Sequence, residues 1–591
     1  MTKSCYYVFS ENEYKKIIAP TKYQIFTNNL VLAHKYKNIC LLGDFIEKKC
    51  ILTENIKFRY KYRKILNEFD KQVSKIKKKN LSIFISTAHS TKRIFSYIIN
   101  FLVFINCLKK KKIKIIYFFY HKDLCKNDYF SEYEIYLSIL LRLSSLKNVG
   151  IKIKKKEFNQ YENKYLGDNY LSSELKFSLS FKLKIFYKIL NFISILLSNK
   201  KTKYLGLVGF NFKKGLLFYF KLFHCRPVFL DTAIKIKNNK ILEKKTFTAI
   251  IKKEILYLIS KINLDKKISY NILIDFYFYI YEQNYNKFSN LENSIYNDSF
   301  YKNIKGALIN VESPTINFLA LLLSKLNIKT LTLSHGGTVG HYYNYPPVTF
   351  YDLQLKKGYY QVFSKKLKNN LIKSFFISKI VKKNLLVVPS LDLINLKKKK
   401  IFITNSSQYK NYNICYVASP NHNVIDLKRN NQSNVELQRL RSATLNFFSK
   451  QDKFNIFIKT YRDEKFLFHS KKLKTKKIKY IRKNKFSDLN ENIDLYIFET
   501  MSTALLEAST LNKTIFCLNR NMQIESNVKN ILSKTVYLFN DSNDLLKKLK
   551  KFFSKKINIK KNNKNLALVL YDFNNISLNT YFNKIKHFFY V

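Results

Sequence analysis

Tryptophan is absent from this 591-residue chain, and glycine (11), proline (7) and methionine (3) are scarce. Arginine is scarce as well, at 11 of the 107 basic residues. Lysine, asparagine, isoleucine, phenylalanine and tyrosine fill the chain instead, the pattern an AT-rich genome writes wherever a fold tolerates it. The formal charge of +67 would ordinarily point to nucleic acid or an anionic membrane. A surface selected to grip phosphates keeps arginine, whose planar fork suits them, so most of the excess reads as compositional bias. No nucleic-acid partner is expected. A basic nucleic-acid-binding protein with interleaved Tyr and Phe remains the alternative from another functional class.

Long apolar runs are lacking too. Ile94–Leu108 is interrupted by Asn100 and Asn106, and Ile185–Leu197 carries Lys188; both fall short of the roughly 20 residues a membrane span requires. The opening MTKSCYYVFSENEYKK has no uninterrupted apolar core of the kind a signal peptide needs. Eight cysteines form no C-x-x-C pair and no zinc-like spacing with histidine. Cys415 and Cys517 lie inside apolar runs and read as small buried hydrophobes. A cytoplasmic location follows as the expectation, with peripheral contact at the anionic inner face of the cytoplasmic membrane. Also missing are a Walker G-x-x-x-x-G-K-[ST], a G-x-G-x-x-G after a strand, an H-E-x-x-H and a G-x-S-x-G elbow. No isolated D-x-D closes a strand, so no metal ligands and no cofactors are expected.

What is present is a packed α/β chain. Hydrophobic residues make up 46% and aromatics 16%, too apolar for disorder, and the length calls for more than one core. Short apolar runs alternate with longer amphipathic ones. "LSIFIST" (81–87) reads as a strand, 91–108 as a helix and 113–120 as a strand; 203–210, 306–312 and 329–334 are further strands. That order implies parallel pairing with right-handed crossovers. The fold class expected is α/β, two Rossmann-like doubly wound domains facing a cleft, with a helical insertion around 235–300. Residues 1–370 are expected to form the N-terminal domain, 371–412 a linker, 413–560 the C-terminal domain, and 561–591 a helical tail crossing back to the N-terminal domain.

Two constellations carry chemistry. In "DLYIFETMSTALLEASTLNKTIFCL" (494–518) a strand ends near Glu499 and a loop leads through Ser502 and Thr503 into a helix. Hydroxyls and free amides at a helix start suit an anion, and Glu507, one turn beyond Thr503, suits a sugar diol. In "TLTLSHGGTVGHYYNYPP" (330–347) a strand runs into His335, Gly336 and Gly337. Glycines there let the backbone turn and approach a ligand, and an imidazole at a strand's carboxyl end can serve as a general base. Lys459 and Arg462, at the end of "IFIKTYRDE", are candidate phosphate ligands. Glu312, closing the strand before His335, is a candidate for acceptor contact or for orienting that histidine. His89 and His341 read as turn residues.

The strand–Ser-Thr-x-x-x-Glu–helix–strand arrangement resembles the donor half of GT-B glycosyltransferases. More closely it is similar to bacterial capsule and lipopolysaccharide surface-carbohydrate transferases, related to capsule polysaccharide and CDP-glycerol-type transferases. The chain supplies Asp494, Ser502, Thr503, Glu507, Ala508, Lys513 and Ile515 of that pattern, with Thr514 where a proline is usual and no His-Pro near Lys459. "TLTLSHGG" with the following Asp352 and Gly358 resembles the family's His-Gly element. The resemblance implies a metal-independent, inverting glycosyltransferase of surface polysaccharide assembly. Its catalytic residues would be His335 and Glu312; Gly336, Gly337, Lys459, Arg462, Ser502, Thr503 and Glu507 would bind substrate. A nucleotide-sugar donor is a substrate, not a cofactor, and the acceptor is a glycan or lipid-linked chain. Transfer of glycerol or ribitol phosphate from a CDP donor is the alternative within the fold.

Overall fold

A computed structural model describes residues 4–8, 11–27, 32, 36, 38–42, 56–79, 81–120, 139–144, 151–157, 181–197, 203–210, 212–230, 239–262, 264–310, 313–334, 355, 357–373, 378–391, 394, 412–418, 434–450, 454–459, 478–481, 493–509, 513–519, 526–554 and 577–590. Among the described residues there are three sheets, and every strand pairing whose register is defined is parallel. The first contains β1 (Ser4–Tyr7), β2 (Gln24–Thr27), β3 (Ile39–Leu41), β4 (Ile115–Tyr120) and β5 (Lys152–Glu157), in the order β3-β2-β1-β4-β5. The second contains β6 (Tyr204–Val208), β7 (Pro227–Phe229), β8 (Ile304–Ile309), β9 (Lys329–Thr332), β10 (Gly358–Val362) and β11 (Leu385–Val387), ordered β11-β10-β9-β8-β6-β7. The third contains β12 (Tyr412–Val417), β13 (Phe454–Lys459), β14 (Ile478–Ile481), β15 (Leu495–Phe498), β16 (Thr514–Leu518) and β17 (Tyr537–Phe539), ordered β14-β13-β12-β15-β16-β17. In each the first strand lies inside the sheet, with later strands added on both sides. That is doubly wound α/β architecture.

Among the described residues, the helices of seven residues or more are α1 (Ile56–Lys77), α2 (Ile83–Lys110), α3 (Phe181–Leu196), α4 (Phe212–Lys221), α5 (Lys244–Ile262), α6 (Lys266–Asn297), α7 (Pro314–Lys325), α8 (Lys365–Lys373), α9 (Asn434–Ser449), α10 (Thr503–Ser509), α11 (Ser526–Thr535), α12 (Ser542–Phe553) and α13 (Leu578–Tyr590). The chain forms two compact units, one mainly Met1–Leu331, the other mainly Tyr359–Asn421 and Arg429–Val591. The helical insertion expected around 235–300 is α5 and α6, the crossover between β7 and β8. Their rings pack with those of α1 and α2: Phe69 on Phe84, Phe84 on Phe247, and Tyr277 on both Phe69 and Phe95.

The strand expected at 81–87 is corrected. Ile83 opens the 28-residue helix α2, so His89 is helical. The local pattern L-S-I-F-I-S-T alternates like a strand, but Asp70 of α1 accepts the N–H groups of Phe84 and Ile85, each at 2.9 Å. Those are orphan donors of a helix start. Residues 83–87 are all buried, so no polar face marks the helix.

In the third sheet Ile414, Tyr416, Ile456, Ile458, Leu495 and Ile497 turn one face toward Leu437, Leu440, Leu445 and Phe448 of α9 and Leu545 and Leu549 of α12, forming one core. The period of two sends Cys415, Tyr496 and Cys517 to the other face.

Candidate functional site

Numbered from its own first strand, the third sheet has the order 3-2-1-4-5-6. Chain direction across the sheet reverses between β12 and β15, and open α/β sheets bind ligands outside the carboxyl ends of the strands at such a reversal. The register defines that edge. Val417 pairs with Lys459 on one side and Phe498 on the other, and Lys459 pairs with Ile481. Lys459 and Phe498 are therefore two strands apart, about 10 Å between backbones.

Glu499 follows Phe498 directly, and its N–H reaches Val417 O at 3.3 Å. Strand parity sends its side chain to the face of Leu495 and Ile497, which α9 covers. There the carboxylate is wholly buried. Arg441 of α9 meets it with both arms, Nε to Oε1 at 2.5 Å and Nη2 to Oε2 at 2.6 Å, and Tyr416 donates its hydroxyl to Oε1 at 2.8 Å. A bidentate, charge-assisted pair with a third donor satisfies a carboxylate that burial alone would make untenable. The triad ties β12, β15 and α9 together immediately beneath the loop 500–502.

Ser502 ends that loop half-buried, and its carbonyl accepts from Leu505 N (3.1 Å) and Leu506 N (3.3 Å), starting α10. Thr503 is the first residue of α10; Glu507 is half-buried one turn on, and Leu505, Leu506 and Ala508 anchor the helix in the core. Ser502, Thr503, Glu507 and Lys459 thus share the carboxyl edge of one sheet. Lys459 has the opposite parity from Ile458 and lies on the face away from Glu499, beside Cys415. Burial pushes the Cys415 thiol up to about 12, with Lys459 opposing the rise, so this cysteine is a packing residue at neutral pH. Asp494 is elsewhere: at the amino end of β15 it accepts from Asn413 N at 2.9 Å, fixing register with β12. Arg462 lies outside the described residues.

The His-Gly element has only its threshold in view. His335, Gly336 and Gly337 lie outside the described residues, as does Glu312. Ser334, directly before His335, donates its N–H to Gln361 Oε1 at 2.8 Å. Gln361 Nε2 donates to Val388 O (3.3 Å) and Pro389 O (2.7 Å), so one buried amide holds the carboxyl ends of β9 and β11 to β10. At the reversal of the second sheet, between β6 and β8, Gly209 adopts φ 71°, a conformation only glycine takes freely. Asn310 N meets Val208 O (3.0 Å) and Asn310 Nδ2 meets Gly209 O (3.3 Å).

Sequence reasoning missed Arg441 and Gln361. For Arg441 the signal was present: 437, 440, 441, 444, 445 and 448 are the buried stripe of α9, and a scarce arginine on an apolar stripe requires a buried anion. No short-range pattern marks Gln361.

No family model matches the sequence, and no curated protein does. Solved structures do show likeness. A Staphylococcus aureus MnaA–UDP co-structure aligns with TM-score 0.42 at 10% identity, over 66% of this chain and 96% of that one. A glycosyltransferase from Rickettsia africae aligns with TM-score 0.36 at 14% identity, over 66% and 98%. Anabaena Alr3699/HepE in complex with UDP-glucose aligns with TM-score 0.33 at 9% identity, over 65% and 99%. At such identities the doubly wound architecture stands on the strand orders themselves.

Proposed function

We propose that this protein is a glycosyltransferase that uses a nucleotide-activated sugar donor in surface polysaccharide or lipopolysaccharide assembly. The observation that carries the reading is the β12/β15 reversal, with the Ser502-Thr503 loop and Glu507 at its carboxyl edge and a buried ion pair bracing that loop. A nucleotide fits such an edge by its phosphates, to the Ser502 and Thr503 hydroxyls and the Lys459 ammonium, with Arg462 as a second cation. Glu507 accepts from the ribose diol.

His335 takes the proton of the acceptor hydroxyl as it attacks the anomeric carbon, with Glu312 orienting the imidazole and Gly336 and Gly337 letting the backbone turn. Attack from the face opposite the leaving nucleotide inverts the configuration. Lysine and arginine neutralise the leaving phosphate, and turnover in the presence of EDTA is the expected outcome. A lipid-linked acceptor places the enzyme at the inner face of the cytoplasmic membrane.

Thermal-shift measurements against UDP, CDP, CMP, GDP and ADP test the nucleotide site. UDP heads the panel because the Staphylococcus and Anabaena structures hold UDP or UDP-glucose. Stabilisation by one nucleotide, reduced in Glu507→Ala, is expected; no stabilisation by any of them rejects the site. His335→Ala should lower turnover about a hundredfold or more with the melting temperature unchanged. Polyol-phosphate transfer is the second reading, favoured by the resemblance of the 494–515 pattern to CDP-glycerol-type transferases; release of CMP with a phosphate-containing product would establish it.

A further inference from the structure

Among its described side chains, helix α3 buries only Tyr187, Leu190 and Ser194. Its bonds to the protein run through polar groups. The Asn191 amide accepts from Phe229 N–H (2.7 Å) and donates to Phe229 O (2.9 Å), satisfying the outer edge of β7. Ser194 Oγ donates to Pro227 O at 2.8 Å and meets the Tyr219 hydroxyl of α4 at 2.8 Å, while that hydroxyl donates to Leu190 O. The Tyr187 ring stacks on Phe229 with centroids 3.8 Å apart. The outward face is apolar: Ile185, Ile189, Phe192, Ile193 and Leu196 recur at helical spacing and are all exposed, Phe192 at 60% and Leu196 at 65%. A helix on a water-facing surface has the reverse arrangement. A contiguous exposed apolar stripe marks an interaction surface.

Charge selects the partner. From Phe181 to Leu230 the sequence holds ten Lys and Arg and no Asp or Glu. Lys188 is exposed within the stripe itself, and Lys203, Lys213 and Lys221 are exposed on the neighbouring elements. A second copy of this face would set like charges against one another. An anionic lipid surface offers acyl chains for the stripe and phosphates for the lysines, whose long stems let the ammonium rise to the headgroups. At 16 residues α3 is too short to span a bilayer, and among the described residues no helix is long and apolar enough to do so. Lying in the interface plane suits its length and its stripe.

We propose that α3 docks this protein on an anionic bilayer, with Ile189, Phe192 and Leu196 among the acyl chains and Lys188 and Lys213 at the headgroup phosphates. This docking needs nothing from the edge of the third sheet.

The test is co-sedimentation of the full chain with vesicles of phosphatidylcholine, with and without phosphatidylglycerol. Wild type should bind the mixed vesicles, bind phosphatidylcholine alone weakly, and release as salt rises. The triple variant Ile189→Ser, Phe192→Ser, Leu196→Ser should bind at least about tenfold less, since three apolar side chains no longer leave water. Lys188→Glu with Lys213→Glu, which keeps the stripe, should also bind less. Melting temperatures should match wild type. Failure of wild type to bind mixed vesicles, or undiminished binding by either variant, overturns the proposal. So does equal binding to both vesicle types. A lower melting temperature of the triple variant would show the stripe to be covered by the chain itself, and a wild-type dimer that this variant splits would show it covered by a second copy. Either result also overturns the proposal.

Discussion

Arg441 and Glu499 are 58 residues apart and wholly enclosed. Removing one partner strands the other's charge in a low-dielectric core, whereas removing both leaves no stranded charge and takes from the Tyr416 hydroxyl only its bond to Glu499. Arg441→Met alone should therefore lower unfolding free energy by about 3–5 kcal/mol, and Arg441→Met with Glu499→Leu should recover most of it. Denaturant unfolding reads both. If the pair braces the 500–502 loop, the double variant regains stability without regaining nucleotide-induced stabilisation. Asp70 makes a second residue-scale prediction. Burial raises its carboxyl to about 7, against opposing hydrogen bonds from backbone N–H groups and the field of Lys325. The folded state then keeps a proton that the unfolded chain releases above its ordinary pKa of 3.8. Stability from this group is full below about pH 4 and is lost as pH rises to about 7. The melting temperature of wild type relative to Asp70→Asn should fall across that window; a pH-independent difference would contradict the assignment.

At the scale of elements, β5 shows how a charge run becomes structure. "KIKKKE" reads as solvated lysine, yet it pairs in register with β4 at the sheet's edge. Lys156 Nζ sits 5.0 Å from the Tyr6 ring centroid and bonds its hydroxyl at 2.8 Å, and Lys154 lies over Tyr117. Lysines on an edge strand also discourage pairing with a further strand. The strands β1, β2 and β3, of three or four residues each, are too brief to show a period, so of the first sheet only the strand at 113–120 was legible. The edge of β7 is satisfied by two side chains of α3, Asn191 at Phe229 and Ser194 at Pro227. Asn191→Ala removes both bonds to Phe229 and should cost about 1–3 kcal/mol, measured by denaturant unfolding, with added exchange at the Phe229 amide.

For the whole molecule, nucleotide binding has a defined footprint. Ligand at a hundred times its dissociation constant stabilises a two-state unit by about 2.7 kcal/mol. Hydrogen exchange should slow at the carboxyl edge, around Val417–Ala418, Lys459 and Phe498–Leu506. Protection centred on the amino edge, at Asn413 and Asp494, would place the ligand at the wrong end of the sheet. The large positive charge follows the lysine-rich composition across the chain.

The sequence by itself determined the class of the fold, the strand–helix rhythm of 113–120, 203–210, 306–334 and 413–553, and the Ser-Thr-x-x-x-Glu pattern at a strand-to-helix junction. All of these are set by periods and caps spanning about ten residues. Only the tertiary structure decided that β12 lies beside β15, that 83–87 is helix, and that Arg441 meets Glu499. Those outcomes depend on which distant segments exclude water together, and contacts of that range leave no local period in the chain.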